Sequence, residues 1–396
     1  MRGLLFLVIA FALQAADWPQ WRGIHRDGKS PETGLLREWP ANGPKLVWKA
    51  EGLGEGFSAF SIVGDRLYTQ GQRGNQEFVM ALDVTSGKKV WETPAGEAYR
   101  EQRGNGPRGT PTVDGDRLYT LSADGKLLCL NRATGRKIWD QNIVRQHGAD
   151  VIHWGMSESP LVDGDRLIVT PGGRGATVVA LDKRNGKLLW KSQSDSAGYS
   201  SPLAFDVNGK RQIAVLAGQS AMGLSASNGE LLWRYEKVAN RTANVATPIF
   251  HDGRVFVSSD YGTGAALLDV RGSGAKEVYF TKEMKNHYSS SVLVDGYLYG
   301  FSSAILTAMK FEEGEVAWRD RSVGRGSVTW ADGHLYVYSE GGVMALVEAT
   351  PSAYKEKSRF SIPAGEFKTW TPPVISNGRL YLREQDRLYS FDLKGQ

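Results

Sequence analysis

One cycle recurs eight times along the 396 residues: an apolar strand, a glycine turn, two more strands, a second glycine turn and a last strand ending in an aromatic residue. Aligned on the first turn glycine, the copies fall at Gly64, Gly115, Gly164, Gly209, Gly253, Gly296, Gly333 and Gly378, spaced 51, 49, 45, 44, 43, 37 and 45 residues apart. The closing aromatics, Trp48, Trp91, Trp139, Trp190, Trp233, Tyr279, Trp318 and Phe360, keep the same count. A period of about 40 to 50 residues with four strand patterns per copy marks a β-propeller. The fold predicted is all-β, an eight-bladed propeller of four-stranded antiparallel blades forming a single domain over residues 44–396.

Within a copy the signals are local. "VDGDRLY" (Val113 to Tyr119) sets Asp-Gly between two apolar runs, and such a pair readily adopts the positive φ of a tight hairpin. The second turn, "TSGKKVW" at Thr85, "ATGRKIW" at Ala133 and "RNGKLLW" at Arg184, leads into the outermost strand. The two chain ends complete one another. The last copy has only the strands "PPVIS", "RLYLRE" and "RLYSFDL", whereas "PKLVWKA" (Pro44 to Ala50) is a fourth strand with no blade before it. This N-terminal strand is therefore predicted to close the ring on the last blade, removing two open sheet edges.

Residues 1–16 read as a secretory signal peptide, with Arg2 ahead of a ten-residue apolar run, Leu4 to Leu13, too short to span a bilayer. An exported protein, periplasmic or extracellular, is expected. Ala16 and Asp17 stand where a lipoprotein would need cysteine, so a lipid anchor is not expected, and the single Cys129 allows no disulfide within the chain. The net charge of +5 comes without a dense Lys/Arg run, and with export this argues against nucleic acid as a partner. No transmembrane span and a monomer are expected. An arm, residues 17–43, precedes the propeller; its Trp18, Trp21 and Trp39 are expected to pack it onto the side or base of the ring, with a protein-interaction patch as the alternative.

The blade ending "(T/N)-G-(K/R/E)-x-x-W" with "(A/L)-L-D/N" before it resembles the tryptophan-docking repeat of the eight-bladed propellers of the pyrroloquinoline-quinone (PQQ) type, over about residues 44 to 396. The opening "DWPQWRGIHRDGKS" (Asp17 to Ser30) is similar to the start of secreted bacterial proteins grouped with that family by their repeats. The resemblance implies two kinds of relative. One is the quinoprotein alcohol dehydrogenases, which hold PQQ and Ca²⁺ at the channel mouth; the other is the non-catalytic, BamB-like propeller of the outer-membrane barrel-assembly machinery.

In such a blade the two kinds of glycine turn share one face, and the long links between blades open on the other, where binding sites usually lie. Those links bring Arg103, Arg108, His153, Trp154, Glu158, Arg241, Asn244, His287, Arg325, Lys368 and Trp370 near the channel mouth, with Trp330 expected close by. This cationic, amide-rich ring suits an anionic ligand or acidic peptide side chains, and the extra tryptophans could stack a planar group or fill the mouth. Set against this, loop polar residues are by default solvated, and Arg108 and Glu158 could simply pair with a neighbouring blade. "DGDR" and "DVNGK" lack the order and distal Glu of a calcium loop, and "PGGRGAT" (Pro171 to Thr177) lacks the helix of a phosphate cradle. The six histidines show no metal spacing, and neither Cys-x-x-Cys-His nor Gly-x-Ser-x-Gly occurs. A dehydrogenase would have to draw its metal ligands and base from Glu101, Asp150 and Glu158, and no spacing singles one out. The residues favour a non-catalytic scaffold for a protein, peptide or small anion in the cell envelope, without a cofactor. The alternatives are a PQQ-dependent dehydrogenase, with PQQ and Ca²⁺, and a carbohydrate-associated envelope protein.

Overall fold

The computed structural model describes residues 16–395; the signal-peptide reading of residues 1–16 falls, but for Ala16, outside them. Eight sheets of four antiparallel strands form a propeller, and one of them carries a fifth, parallel strand, Lys29–Ser30. The clearest blade runs outward from the axis through Thr112–Asp114, Arg117–Leu121, Lys126–Asn131 and Lys137–Asn142. Among the described residues helix is confined to Ile143–Gln146, and none is long and apolar enough to cross a membrane. The ring closes as predicted: Leu46–Ala50 pairs antiparallel with Arg387–Asp392 of the last blade, with Lys49 opposite Tyr389.

The glycine of the second turn is fixed by packing between blades. A Cβ at Gly135 would lie 2.4 Å from the Trp91 ring, one at Gly87 2.5 Å from Trp48, and one at Gly229 2.5 Å from Trp190. Each tryptophan therefore covers the turn of the following blade, and its indole N–H donates to a carbonyl there, Trp91 to Arg132 and Trp139 to Lys183. The repeated Gly-Lys/Arg-x-x-Trp string is a docking device: one copy supplies the ring, the next the flat seat beneath it.

The first half of the arm does not lie on the outside of the ring. From Ala16 to Ser30 it enters the central channel and touches the innermost strand, or the link leading into it, in all eight blades. Trp18 exchanges backbone hydrogen bonds with Ile62, Val113 N–H donates to Pro19, and Lys29–Ser30 runs parallel to Trp330–Ala331. Arg26 donates to the carbonyls of Ser159, Pro160 and Pro202, and Arg22 to those of Ser290 and Ser291. Trp21 donates to Thr247 Oγ1 and Ser376 Oγ to the Ala16 carbonyl. The inner edge of every innermost strand carries backbone groups that no sheet neighbour can satisfy. Two guanidiniums with five donors each answer several of them at once. Trp18 and Trp21 thus depart from the expected placement on side or base, whereas Trp39 does pack on the flank, between Tyr336 and Phe360.

Candidate functional site

The links between blades converge above the plug on a cavity at the channel mouth, whose interior accommodates water centres over about 120 Å³. Trp370 forms one wall, stacked on Phe57 at 4.8 Å and on Tyr288 at 5.7 Å. Trp154 forms the other, 5.7 Å from Tyr199, with the Arg103 guanidinium 5.4 Å above its ring. Tyr261 and His287 close the side, 5.2 Å apart, and Trp21 of the arm is the floor. Arg108 is held between Tyr99 and Phe57, at 4.8 and 5.5 Å, and donates to the carbonyls of Gly104 and Gly106.

Several polar groups around this mouth lack partners. Trp154 Nε1 and Tyr288 Oη are buried with no hydrogen-bond partner, and so are His287 Nδ1 and Arg325 Nε. Among the described residues, none of Arg103, Arg108 and Arg325 forms an ion pair. Burial, and then Arg325, hold the His287 pKa below its ordinary value, so the ring is neutral at pH 7. Burial lowers the Arg108 pKa and raises the Tyr288 hydroxyl well above its usual range. The one carboxylate in the lining, Glu101, accepts the Arg103 backbone N–H at 2.7 Å.

Of the residues expected here from sequence, Arg103, Arg108, Trp154, His287 and Trp370 come together in this lining, with Arg325 close enough to bias His287. His153 stands exposed beside Trp154, its ring 5.3 Å away. The others are placed elsewhere. Glu158 is buried and accepts both Thr170 N and Thr170 Oγ1 at 2.5 Å; burial raises its pKa to about 7, with Arg26 opposing. Asn244 is buried, its amide donating to Ala217, Gly218 and Asn240 carbonyls. Arg241 is exposed outside the lining, and Lys368 pairs with Glu340 at 2.5 Å. Trp330 lies at the opposite end of its strand, beside Lys29 and next to the Asp332-Gly333 turn, because the strand runs away from the mouth. Sequence reasoning missed Phe57, Tyr199, Tyr261, Tyr288 and Trp21 as lining residues. Tyr288 follows His287 in the same link, Tyr199 sits in the link between the third and fourth blades, and Tyr261 sits between second and third strands, in a link that opens on the same face.

A quinone–Ca²⁺ pair needs several oxygen ligands and a base. Of the three loop carboxylates that could supply them, Glu158 is committed to Thr170, Asp150 is exposed and absent from the lining, and only Glu101 reaches the cavity. Among the described residues no group of three or more His, Cys, Asp or Glu side chains could hold a metal ion. The donor set does not fit that pair.

Comparison with known proteins places the fold in a family. The chain is 30% identical over 149 residues to an outer membrane protein assembly factor BamB of Marinobacter adhaerens, covering 38% of this chain and 33% of that one, so it spans about a third of that relative's length. It is 22% identical to the BamB of Yersinia pestis over 88% of each chain. A polyvinylalcohol dehydrogenase of Pseudomonas sp also matches, 27% identical over 60% of this chain and 37% of the other. The crystal structure of BamB from Moraxella catarrhalis superposes with a TM-score of 0.67 at 17% identity, covering 89% of this chain and 98% of that one, a likeness of fold. The sequence profile described as "Outer membrane protein assembly factor BamB" matches residues 32–153 and 75–320, most of the propeller. The chain therefore belongs to the BamB family of PQQ-like eight-bladed propellers.

Proposed function

We propose that this protein is an exported, non-catalytic propeller of the cell envelope whose loop face binds a partner protein, in the manner of an outer membrane protein assembly factor. One observation carries the reading: the channel mouth gathers aromatic rings and unpaired donors around a single carboxylate. Such a site can hold an anionic or aromatic group, but it has no set of oxygen ligands for a cation and no second carboxylate to act as base. The plug supports the same view, because it fills the channel beneath the mouth with side chains committed to the ring itself.

The test is a photoreactive residue at exposed Gln102, beside the mouth, compared with one at exposed Asn208 on the opposite face. In cell envelopes, a discrete protein adduct from position 102 and none from position 208 is expected. Adducts from neither position, or from position 208 alone, contradict the reading.

A further inference from the structure

We propose that the mouth recognises an acidic-aromatic peptide segment of its partner, taking one flat side chain between Trp370 and Trp154 and reading flanking carboxylates with Arg103 and Arg325, without a metal ion. The inference rests on the scaffold reading of the same mouth and goes further by naming the chemistry that enters it.

Shape argues for the ring. The lining is mostly aromatic, with Phe57, Trp370 and Tyr288 on one side and Trp154 on the other, and an aromatic guest packs against such rings better than an aliphatic one. Aromatic anchors inserted into a desolvated pocket are also the groups that dominate protein interfaces. Trp21 closes the cavity from below, so a side chain fits there whereas a continuous chain cannot thread through.

Charge argues for the flanks. Arg103 is exposed and Arg325 half-buried, and neither has a carboxylate partner among the described residues, although most other arginines of this propeller surface do. Arg211, bonded to Asp163 and Asp206, is an example of the paired state. Trp154 Nε1 and Tyr288 Oη behind the lining are buried donors with no acceptor, so the polar contacts open to a guest are those of Arg103 and Arg325. A basic guest is disfavoured by three unpaired guanidiniums.

The probe is an acetylated, amidated peptide, Gly-Asp-Glu-Tyr-Asp-Glu-Gly, labelled for anisotropy and titrated with the full processed protein in EDTA. Saturable binding is expected, weakened about tenfold by Arg103→Gln with Arg325→Gln, the scale of one charge-assisted hydrogen bond, and weakened by salt. Replacing the peptide tyrosine by alanine, or its acids by lysines, should abolish binding; because these changes are on the peptide, folding of the protein is not in question. Equal binding of the alanine or lysine peptide overturns the proposal. So does a requirement for Ca²⁺, or binding of free 2-naphthoate when the peptide does not bind, which would make the guest a small aryl acid. The scaffold reading fails separately, by absence of crosslinks from position 102, so the two failures are distinguishable.

Discussion

Two buried carboxyls show how single residues carry consequences that the repeat pattern hides. Glu77 is fully buried, with one oxygen accepting the Ala123 N–H and the other without a partner, and burial raises its pKa to about 8. Glu158 is raised to about 7 by the same cause. In both cases the folded state keeps a proton that the unfolded chain releases near pH 4.5. Stability must therefore fall as pH rises from about 4.5 to each folded value, with a limiting slope of about 1.4 kcal/mol per pH unit per group. His287 has the opposite sign: its folded pKa is depressed, so its contribution is present above its ordinary 6.5 and lost as pH falls. Between pH 7 and 8 the slope belongs chiefly to Glu77. Urea melts across that window should show stability declining in the native protein and a flatter profile in Glu77→Gln; an unchanged slope would contradict the assignment. None of this was legible from the chain alone, since Glu77 reads as an ordinary polar residue of a third strand. Its burial depends on the neighbouring blade, which supplies Ala123.

At the scale of elements, hairpins and blade ends were readable because their determinants are local. Five Asp-Gly or Asn-Gly pairs adopt positive φ at both residues, as at Asp332 (46°) and Gly333 (77°), whereas at Asp114-Gly115 and Asp163-Gly164 only the glycine does, at 58° and 59°. The closing strand was readable from a count that came out one strand short at one end and one over at the other. The arm was not, because its fit depends on bonds to carbonyls scattered over the whole chain. Its path needs Arg22 and Arg26 at φ of 61° and 56°, unusual for arginine, and repays this through buried guanidinium bonds. Both are held below their ordinary pKa by burial, Arg26 at about 9 and Arg22 at about 10. Arg26→Met would strip donors from Ser159, Pro160 and Pro202, each lost partner costing about 1–3 kcal/mol. A melting point lowered by several degrees, together with a shift in tryptophan emission as Trp21 loses its seat, is the expected result. An unchanged melting point would mean that the plug is not part of the ring's stability.

The whole molecule combines a rigid ring, a plugged axis and one aromatic mouth. Eightfold repetition explains why the architecture was legible: each blade repeats the same local signals, and six of the eight closing aromatics, all but Trp233 and Trp318, dock by the same geometry of ring over glycine turn. The mouth was legible only in part, because repetition says where the variable links emerge but not how far each side chain reaches. Arg103, Arg108, Trp154, His287 and Trp370 converge, whereas Asn244 and Glu158 turn inward to backbone and threonine partners. Trp330 was misplaced by strand direction. Because a polyvinylalcohol dehydrogenase is among the proteins this chain is similar to, the claim most in need of a direct test is that this mouth binds without a catalytic cation. Calorimetric titration of the protein with pyrroloquinoline quinone, with and without Ca²⁺, is that test. The donor set predicts no calcium-dependent heat, since Glu101 alone cannot complete a cation site; micromolar, calcium-dependent binding accompanied by alcohol-driven dye reduction would contradict it.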